Sequence, residues 1–155
     1  MMNIKNRKII FIDIDGVLNS HMFDLNNQKT QFTNNPEIDP STILLLNEIL
    51  EFDKSIFLII SSSWADTKTL TELRNLLEKN GLQTNRVCGK INYKVGKRES
   101  IHQILEKYRI EKFCVIDDEW IFNLNDKCQK NFIKISFYEG LKQKHIEIVK
   151  NLFEI

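Results

Sequence analysis

Two aspartates, Asp13 and Asp15, stand one residue apart at the end of an apolar run that begins at Ile9. On a β-strand, successive side chains alternate between faces, so both carboxylates are predicted to point the same way. Two like charges side by side are costly unless a cation lies between them or one carboxyl group holds a proton. Gly16 follows at once and allows the backbone to turn sharply or to adopt a positive φ. The pattern indicates a Mg²⁺ site with a carboxylate free for chemistry.

Two further apolar runs in the sequence also end in polar clusters. Three consecutive serines, 61–63, follow the run 56–60. Asp117 and Asp118 follow the run 113–116. In open parallel sheets, ligands bind beyond the carboxyl ends of the strands, so neighbouring strands would bring these clusters to one crevice. Carboxylate oxygens from two strand ends favour Mg²⁺, a hard cation that retains several waters.

The same crevice is predicted to hold an anion. Serine hydroxyls and the backbone N–H groups at the start of a following helix are typical phosphate donors. Lys97, which follows Gly96 and opens a predicted helix, would bring a positive charge to that anion. A carboxylate, Mg²⁺ and phosphate donors together indicate phosphoryl transfer to an aspartate.

Hydrophobic patterns place these clusters in an alternating series of strands and helices. Residues 19–38 are polar without a clear period and are predicted to form a long loop. Asp39 followed by Pro40 is typical of a helix N-cap and first helical position. The series predicts an α/β fold, a Rossmann-like three-layer sandwich whose central sheet is mainly parallel. The predicted strands are 9–14, 56–60, 86–88, 113–116 and 132–135, and the predicted helices are 39–50, 66–79, 97–108 and 140–153.

Length and composition limit the class of protein. The chain of 155 residues is predicted to fold as a single domain, 1–155. Its net charge of +1 gives no strong field that would steer it to DNA or membranes. The three cysteines lack metal-type spacing, and Cys114 lies in an apolar pattern typical of a buried reduced thiol. Since no signal peptide and no membrane-length apolar segment is found, the expected location is the reducing cytoplasm.

Four segments resemble the signatures of the haloacid dehalogenase (HAD) superfamily of phosphatases. The late helix at Gly140-Leu141 and the serine run that ends at Trp64 also resemble small HAD domains found with RNA-repair modules. Those relatives often carry a basic residue after the tryptophan, where this chain has Ala65. The four signature segments, in the family's order, are Asp13-Ile14-Asp15-Gly16-Val17-Leu18, Ile59-Ile60-Ser61, Lys97 and Val115-Ile116-Asp117-Asp118.

The resemblance implies a role for each aspartate. Asp13 would be the nucleophile that forms an aspartyl-phosphate. Asp15 would protonate the leaving group and then deprotonate the water that hydrolyses the intermediate. Mg²⁺ would be bound by Asp13 and by the backbone carbonyl of Asp15, with Asp118 or Asp117 completing the metal site. The implied activity is Mg²⁺-dependent hydrolysis of phosphomonoesters.

The same resemblance assigns the phosphate contacts. Ser61 would donate to the phosphoryl oxygens. Ser62 is the alternative, because the sequence alone does not determine at which of two neighbouring residues the strand ends. Lys97 would neutralise the charge of the transferring group, with Arg98 as its rival. These contacts agree with the physical requirement that phosphoryl transfer depends mainly on positioning and charge stabilisation.

A large cap domain is predicted to be absent. The segments in which such caps are inserted, 19–38 and 82–96, are far shorter than the roughly 50 residues that a small domain needs. An open crevice favours a large substrate that itself excludes water. Because nucleic acid usually requires a basic surface, the near-neutral charge favours a phosphoprotein carrying phosphotyrosine or phosphoserine/threonine. Two alternatives stay open: a nucleotide or nucleic-acid-end phosphatase, and a catalytically quiet phosphate- or partner-binding module.

Overall fold

A central parallel β-sheet organises the chain. The computed structural model describes residue 4 and residues 6–27 and 38–155. The five strands found there lie in the order β3-β2-β1-β4-β5, and each neighbouring pair is parallel. The predicted α/β fold with a parallel sheet is therefore confirmed. The strands are β1 (Lys8–Ile12), β2 (Ile56–Ile60), β3 (Val87–Lys90), β4 (Lys112–Asp117) and β5 (Phe132–Lys134).

The strand β1 occupies the centre of the sheet, between β2 and β4. Residues 9–12 of this strand are each at most 1% exposed. Strands covered on both faces by other elements read as continuous apolar runs, which explains why the sequence shows no alternation here. Asp13, the first polar residue after β1, therefore lies at the edge of the apolar core and is only 3% exposed.

α-Helices connect the first four strands, a 3-10 turn lies between β4 and β5, and the apolar residues of helices and strands form one core cluster. The second helix begins as predicted, since the Asp39 side chain accepts a hydrogen bond from the Ser41 backbone N–H at 2.9 Å. Two 3-10 turns, Tyr93–Val95 and Gln129–Asn131, also occur. The helices of the described chain are α1 (His21–Asn27), α2 (Pro40–Phe52), α3 (Trp64–Thr67), α4 (Leu70–Lys79), α5 (Lys97–Tyr108) and α6 (Gln143–Phe153).

The predicted loop over 19–38 is wrong in its first part, because α1 forms there. The first two backbone N–H groups of α1 donate to the carbonyls of Phe137 and Tyr138. These partners are distant in the sequence, so no local period indicates the helix. Residues 28–37 of the predicted loop lie outside the described residues.

The boundaries of two later helices also differ from the prediction. Residues 66–79 contain the end of α3 and all of α4, because the Thr69 hydroxyl accepts a hydrogen bond from the Glu72 backbone N–H at 3.1 Å and starts a new helix. A Thr followed three residues later by Glu is the capping-box pattern, which would have located this start. The last helix does not include Gly140, whose φ of +74° is incompatible with a right-handed helix.

The predictions from composition concern the cysteines and membrane-spanning segments. Cys88, Cys114 and Cys128 are free thiols. Cys114 lies in β4 and is fully buried, as predicted, and burial raises the pKa of its thiol. None of the helices in the described ranges has the length and apolar character needed to cross a membrane.

Candidate active site

The carboxyl ends of the three central strands bring Asp13, Ser61 and Asp117 side by side. Ile12 of β1 lies in register with the last residue of β2 and with Ile116 of β4. The pairing continues one residue further: the Ser61 backbone N–H donates to the Ile12 carbonyl at 2.9 Å, and the Asp13 N–H donates to the Ile116 carbonyl at 3.1 Å. All three side chains lie in buried residues. The predicted convergence of the strand-end clusters therefore occurs in the fold.

The Lys97 ammonium joins two of these carboxylates. Its Nζ lies 2.9 Å from Oδ2 of Asp117 and 3.2 Å from Oδ2 of Asp13. The rival cation, Arg98, is about half exposed, and its guanidinium lies 3.7 Å from the Asp126 carboxylate. The first turn of α5 thus directs Lys97, and not Arg98, to the strand ends.

Three carboxylates converge next to this ammonium. One oxygen each from Asp13, Asp117 and Asp118 lie within 4.8 Å of one another. Burial and the neighbouring charge of Asp117 raise the pKa of Asp13 to about 8, although Lys97 opposes this effect. Burial also raises the pKa of Asp117. A single ammonium therefore leaves the charge of this group incompletely compensated, and a divalent cation would supply the missing positive charge.

Gly16 makes the space in which Asp118 approaches the other carboxylates. Its φ of +81° is favourable for glycine and strained for other residues. A Cβ on Gly16 would lie only 2.7 Å from Cγ of Asp118. The oxygen-rich donor set and this space fit Mg²⁺, and Asp13, Asp117 and Asp118 are the side chains that would hold it.

The two serine candidates differ in their hydrogen bonds. Oγ of Ser62 accepts a hydrogen bond from the backbone N–H of Trp64 at 3.2 Å, so it has a local role at the start of α3. Oγ of Ser61 is buried and has no hydrogen-bond partner among the residues that the structure describes. Buried polar atoms are rarely left unpaired in native proteins, so the Ser61 hydroxyl is the better placed of the two to meet a ligand oxygen.

Two side-chain donors hold the carboxylate of Asp15. Nε1 of Trp64 donates to Oδ2 at 2.9 Å, and Nδ2 of Asn19 donates to Oδ1 at 3.0 Å. Oδ1 of Asn19 in turn accepts a hydrogen bond from the Gly16 backbone N–H at 3.0 Å. The metal contact predicted for Asp15 involves its backbone carbonyl and stays a prediction.

A model of a protein family matches residues 9–146, and its description is "HAD domain in Swiss Army Knife RNA repair proteins". The matched range includes every strand-end residue described above. The chain belongs to this family. Membership supports a phosphatase-type hydrolase at the family level and confirms the HAD resemblance seen in the sequence. No significant match was found among curated proteins or among solved structures.

The active-site face of this HAD domain carries no covering domain within the described residues. Between β1 and α2 these residues form only α1, and between β3 and α5 they form only the 3-10 turn Tyr93–Val95. This agrees with the prediction that a large cap is absent.

Sequence reasoning missed two features of the HAD site. It predicted no contact for Trp64, and it gave Asn19 no role. An Asn three residues after a turn glycine, as in Gly16 to Asn19, is a local signal, because an amide can both accept from the turn and donate to a neighbouring carboxylate. The bond between Trp64 and Asp15 has no comparable local signal, since the two residues are far apart in the sequence.

Proposed function

We propose that this HAD domain is a Mg²⁺-dependent phosphomonoester hydrolase that uses Asp13 as nucleophile and acts on terminal phosphates of nucleic acid. The observation that supports it most is the position of the Lys97 ammonium, which contacts the buried carboxylates of Asp13 and Asp117. The adjacent strand is followed by Ser61, whose buried hydroxyl has no hydrogen-bond partner within the described part of the chain. A nucleophile, a cation and a phosphate donor therefore lie on adjacent elements at the edge of the sheet.

The reaction divides into two transfers in this proposal. A carboxylate oxygen of Asp13 forms a bond to phosphorus while the bond from phosphorus to the leaving oxygen breaks. Asp15 supplies the proton that the leaving oxygen takes up. Asp15 then accepts a proton from the water that attacks phosphorus, and Asp13 is released as a carboxylate. The phosphoryl group thus passes from the substrate to Asp13 and then to water.

The remaining residues stabilise charge during these transfers. Lys97 neutralises negative charge on the phosphoryl oxygens, and the Ser61 hydroxyl donates a hydrogen bond to one of them. Asp13, Asp117 or Asp118, and the Asp15 carbonyl would hold Mg²⁺. When bound, Mg²⁺ supplies additional positive charge for the nucleophile and the phosphate.

The substrate class is proposed from the family and from the surface next to Lys97. The family's description places such domains in RNA repair proteins, which favours a nucleic-acid end over the phosphoprotein expected from the overall charge. A groove of about 450 Å³ adjoins the site, and its lining includes Lys97 and Arg98, the exposed Tyr93 and Val95, and Glu99 and Glu119. The two glutamates offset the positive charge of Arg98 and weaken the attraction to a second phosphate, so the groove suits the uncharged nucleoside that carries the terminal phosphate.

The direct test is hydrolysis of p-nitrophenyl phosphate in Mg²⁺ and in EDTA, followed by a comparison of three substrates. These are oligonucleotides with a 3′-phosphate, oligonucleotides with a 5′-phosphate, and phosphopeptides. The proposal expects metal-dependent turnover and a preference for one of the oligonucleotides. A preference for phosphopeptides would restore the phosphoprotein hypothesis. Binding of Mg²⁺ and phosphate without any turnover would support the catalytically quiet module.

Replacing Tyr93 by alanine is expected to weaken oligonucleotide binding. Stacking of a base on an aromatic ring contributes about 1–3 kcal/mol, so KM for the preferred oligonucleotide should rise about tenfold. Turnover of p-nitrophenyl phosphate should stay at the wild-type level, and the control Tyr93→Phe should retain the wild-type KM because it keeps the ring. Equal KM values for all three proteins would show that the nucleoside does not bind in this groove.

Mg²⁺ is expected to raise the melting temperature of the wild-type protein. The folded state holds three carboxylates together, whereas the unfolded chain does not, so the cation stabilises the fold by about 2.7 kcal/mol at a hundredfold excess over its Kd. Thermal denaturation in EDTA and in millimolar Mg²⁺ measures this. The Asp13→Asn variant should gain less than the wild type, and Asp66→Asn, at an exposed position on α3, should gain as much. A wild-type melting curve that does not respond to Mg²⁺ would contradict the metal site.

A further inference from the structure

The indole of Trp64 makes a direct contact with the proposed acid of the reaction. Its Nε1 donates to Oδ2 of Asp15 at 2.9 Å, between residues that are 49 positions apart. The second oxygen of Asp15 accepts from the amide of Asn19 at 3.0 Å. One donor therefore comes from the turn that carries Asp15, and the other comes from the element that follows β2. The carboxyl group is fixed between two parts of the fold.

The position of Trp64 is itself determined by the surrounding structure. Its backbone N–H donates to Oγ of Ser62 at 3.2 Å, at the end of β2. The Lys90 ammonium of β3 donates to the carbonyls of Ala65 at 2.7 Å and Lys68 at 2.9 Å, which ties the short helix α3 to the sheet. The side chain of Trp64 thus extends from a helix that is anchored on two strands.

We propose that Trp64 is a positioning residue, which holds the Asp15 carboxyl group in the orientation needed to protonate the leaving oxygen. This inference depends on the proposed function. An indole N–H is a neutral donor, so it orients Asp15 without placing a positive charge next to it. Each carboxyl oxygen has two lone-pair sites, and the bonds from Trp64 and Asn19 leave one site on each oxygen for the transferred proton. The two donors therefore restrict the directions in which that proton can point.

The contact from Trp64 also becomes stronger as the proton leaves. When the bond from phosphorus to the leaving oxygen breaks, the proton moves from Asp15 to that oxygen and Asp15 becomes a carboxylate. Hydrogen bonds to ionised acceptors are stronger than bonds between neutral groups. An interaction that is stronger in the transition state than in the ground state accelerates the chemical step. The contribution of Trp64 should consequently be largest for leaving groups that need the proton most.

The test compares Trp64→Phe with the wild type on aryl phosphates whose leaving phenols range from p-nitrophenol to unsubstituted phenol. Nitrophenolate departs without a proton, whereas phenolate is a poor leaving group. A hydrogen bond to a charged group contributes about 1.5–3 kcal/mol, so kcat/KM for phenyl phosphate should fall about tenfold or more in Trp64→Phe, and less than about twofold for p-nitrophenyl phosphate. The matched control is Trp120→Phe. Trp120 is 70% exposed, and its ring contacts Phe132 and Lys134. The kcat/KM of Trp120→Phe should equal that of the wild type for every aryl phosphate in the series.

A second measurement examines the contact without turnover. The indole N–H resonance of Trp64, assigned by its loss in Trp64→Phe, should shift in Asp15→Asn, while the resonance of Trp120 stays in place. A uniform loss of kcat/KM across all leaving groups, or an unshifted Trp64 resonance, would overturn the positioning role. Absence of wild-type turnover on every ester would instead overturn the proposed function and this role with it.

Discussion

Replacing Asp13 by asparagine is expected to abolish phosphomonoester hydrolysis while the protein stays folded. The substitution keeps the volume of the side chain and removes the nucleophilic oxygen, so kcat should fall by about a thousandfold or more. Burial and the charge of Asp117 raise the pKa of Asp13 to about 8 in the metal-free fold, so the carboxyl group destabilises that fold at any pH above its ordinary pKa, and asparagine avoids this cost. The melting temperature of Asp13→Asn in EDTA should therefore equal or exceed that of the wild type. Rates with p-nitrophenyl phosphate and denaturation curves measure both effects.

The control for this result is Asp66→Asn. Asp66 is exposed on α3, so the same chemical change at that position should leave kcat at the wild-type level. Intact-mass measurement of Asp13→Asn before and after the assay excludes slow deamidation to aspartate. Full activity in a preparation that contains only asparagine would show that Asp13 is not the nucleophile.

Replacing Lys97 by methionine is expected to have the second largest effect. The ammonium of Lys97 lies within 3.2 Å of two buried carboxylates, one of which belongs to the proposed nucleophile Asp13. Loss of one preorganised charge contact of this kind typically lowers kcat by about a hundredfold or more. Removing one partner of a buried ion pair also costs about 3–5 kcal/mol of stability, and saturating Mg²⁺ should recover part of this loss.

The matched control is Lys94→Met, two residues before Gly96 in an exposed 3-10 turn. This variant loses one positive charge from the same region without changing the carboxylate contacts. Its kcat and unfolding free energy in urea should be close to those of the wild type. Equal effects of the two substitutions would indicate a general electrostatic contribution and would contradict the specific role of Lys97.

Much of the framework was predictable because its signals are local and its partners are parallel strands. Continuous apolar runs locate the buried strands, and the carboxyl ends of adjacent parallel strands must meet at one edge of the sheet. This geometry is sufficient to bring Asp13, Ser61 and Asp117 together without any knowledge of side-chain contacts. The turn at Gly16 is predictable from a different local signal, since a glycine directly after a strand can adopt the positive φ that a sharp turn requires.

The choice between neighbouring residues required the structure. Sequence left Ser61 and Ser62 open, and likewise Lys97 and Arg98, because a shift of one residue changes the direction of a side chain. In the fold, Ser62 is used by the backbone of α3, whereas Arg98 contacts Asp126. Each alternative therefore has its own partner, and the hydrogen bonds of the local structure separate the two members of each pair.

Two of the contacts that sequence reasoning missed are long-range. Helix α1 is stabilised by hydrogen bonds to 137–138, and Asp15 is held by Trp64 from beyond β2. No periodicity or spacing encodes either pairing, because both depend on how the loops at the edge of the sheet pack. Tertiary context overrides local propensity in such segments.

The central claim, that a phosphoryl group is transferred to Asp13, is tested most directly by trapping the intermediate in Asp15→Asn. Nitrophenolate leaves without a proton, so this variant should still form the phospho-enzyme from p-nitrophenyl phosphate, but it lacks the base that hydrolyses it. Peptide mass spectrometry after acid quenching should find a hydroxylamine-labile phosphoryl group on Asp13. A phosphoryl group on another residue, or turnover by the wild type with no labelled Asp13 in the trapped variant, would contradict the mechanism.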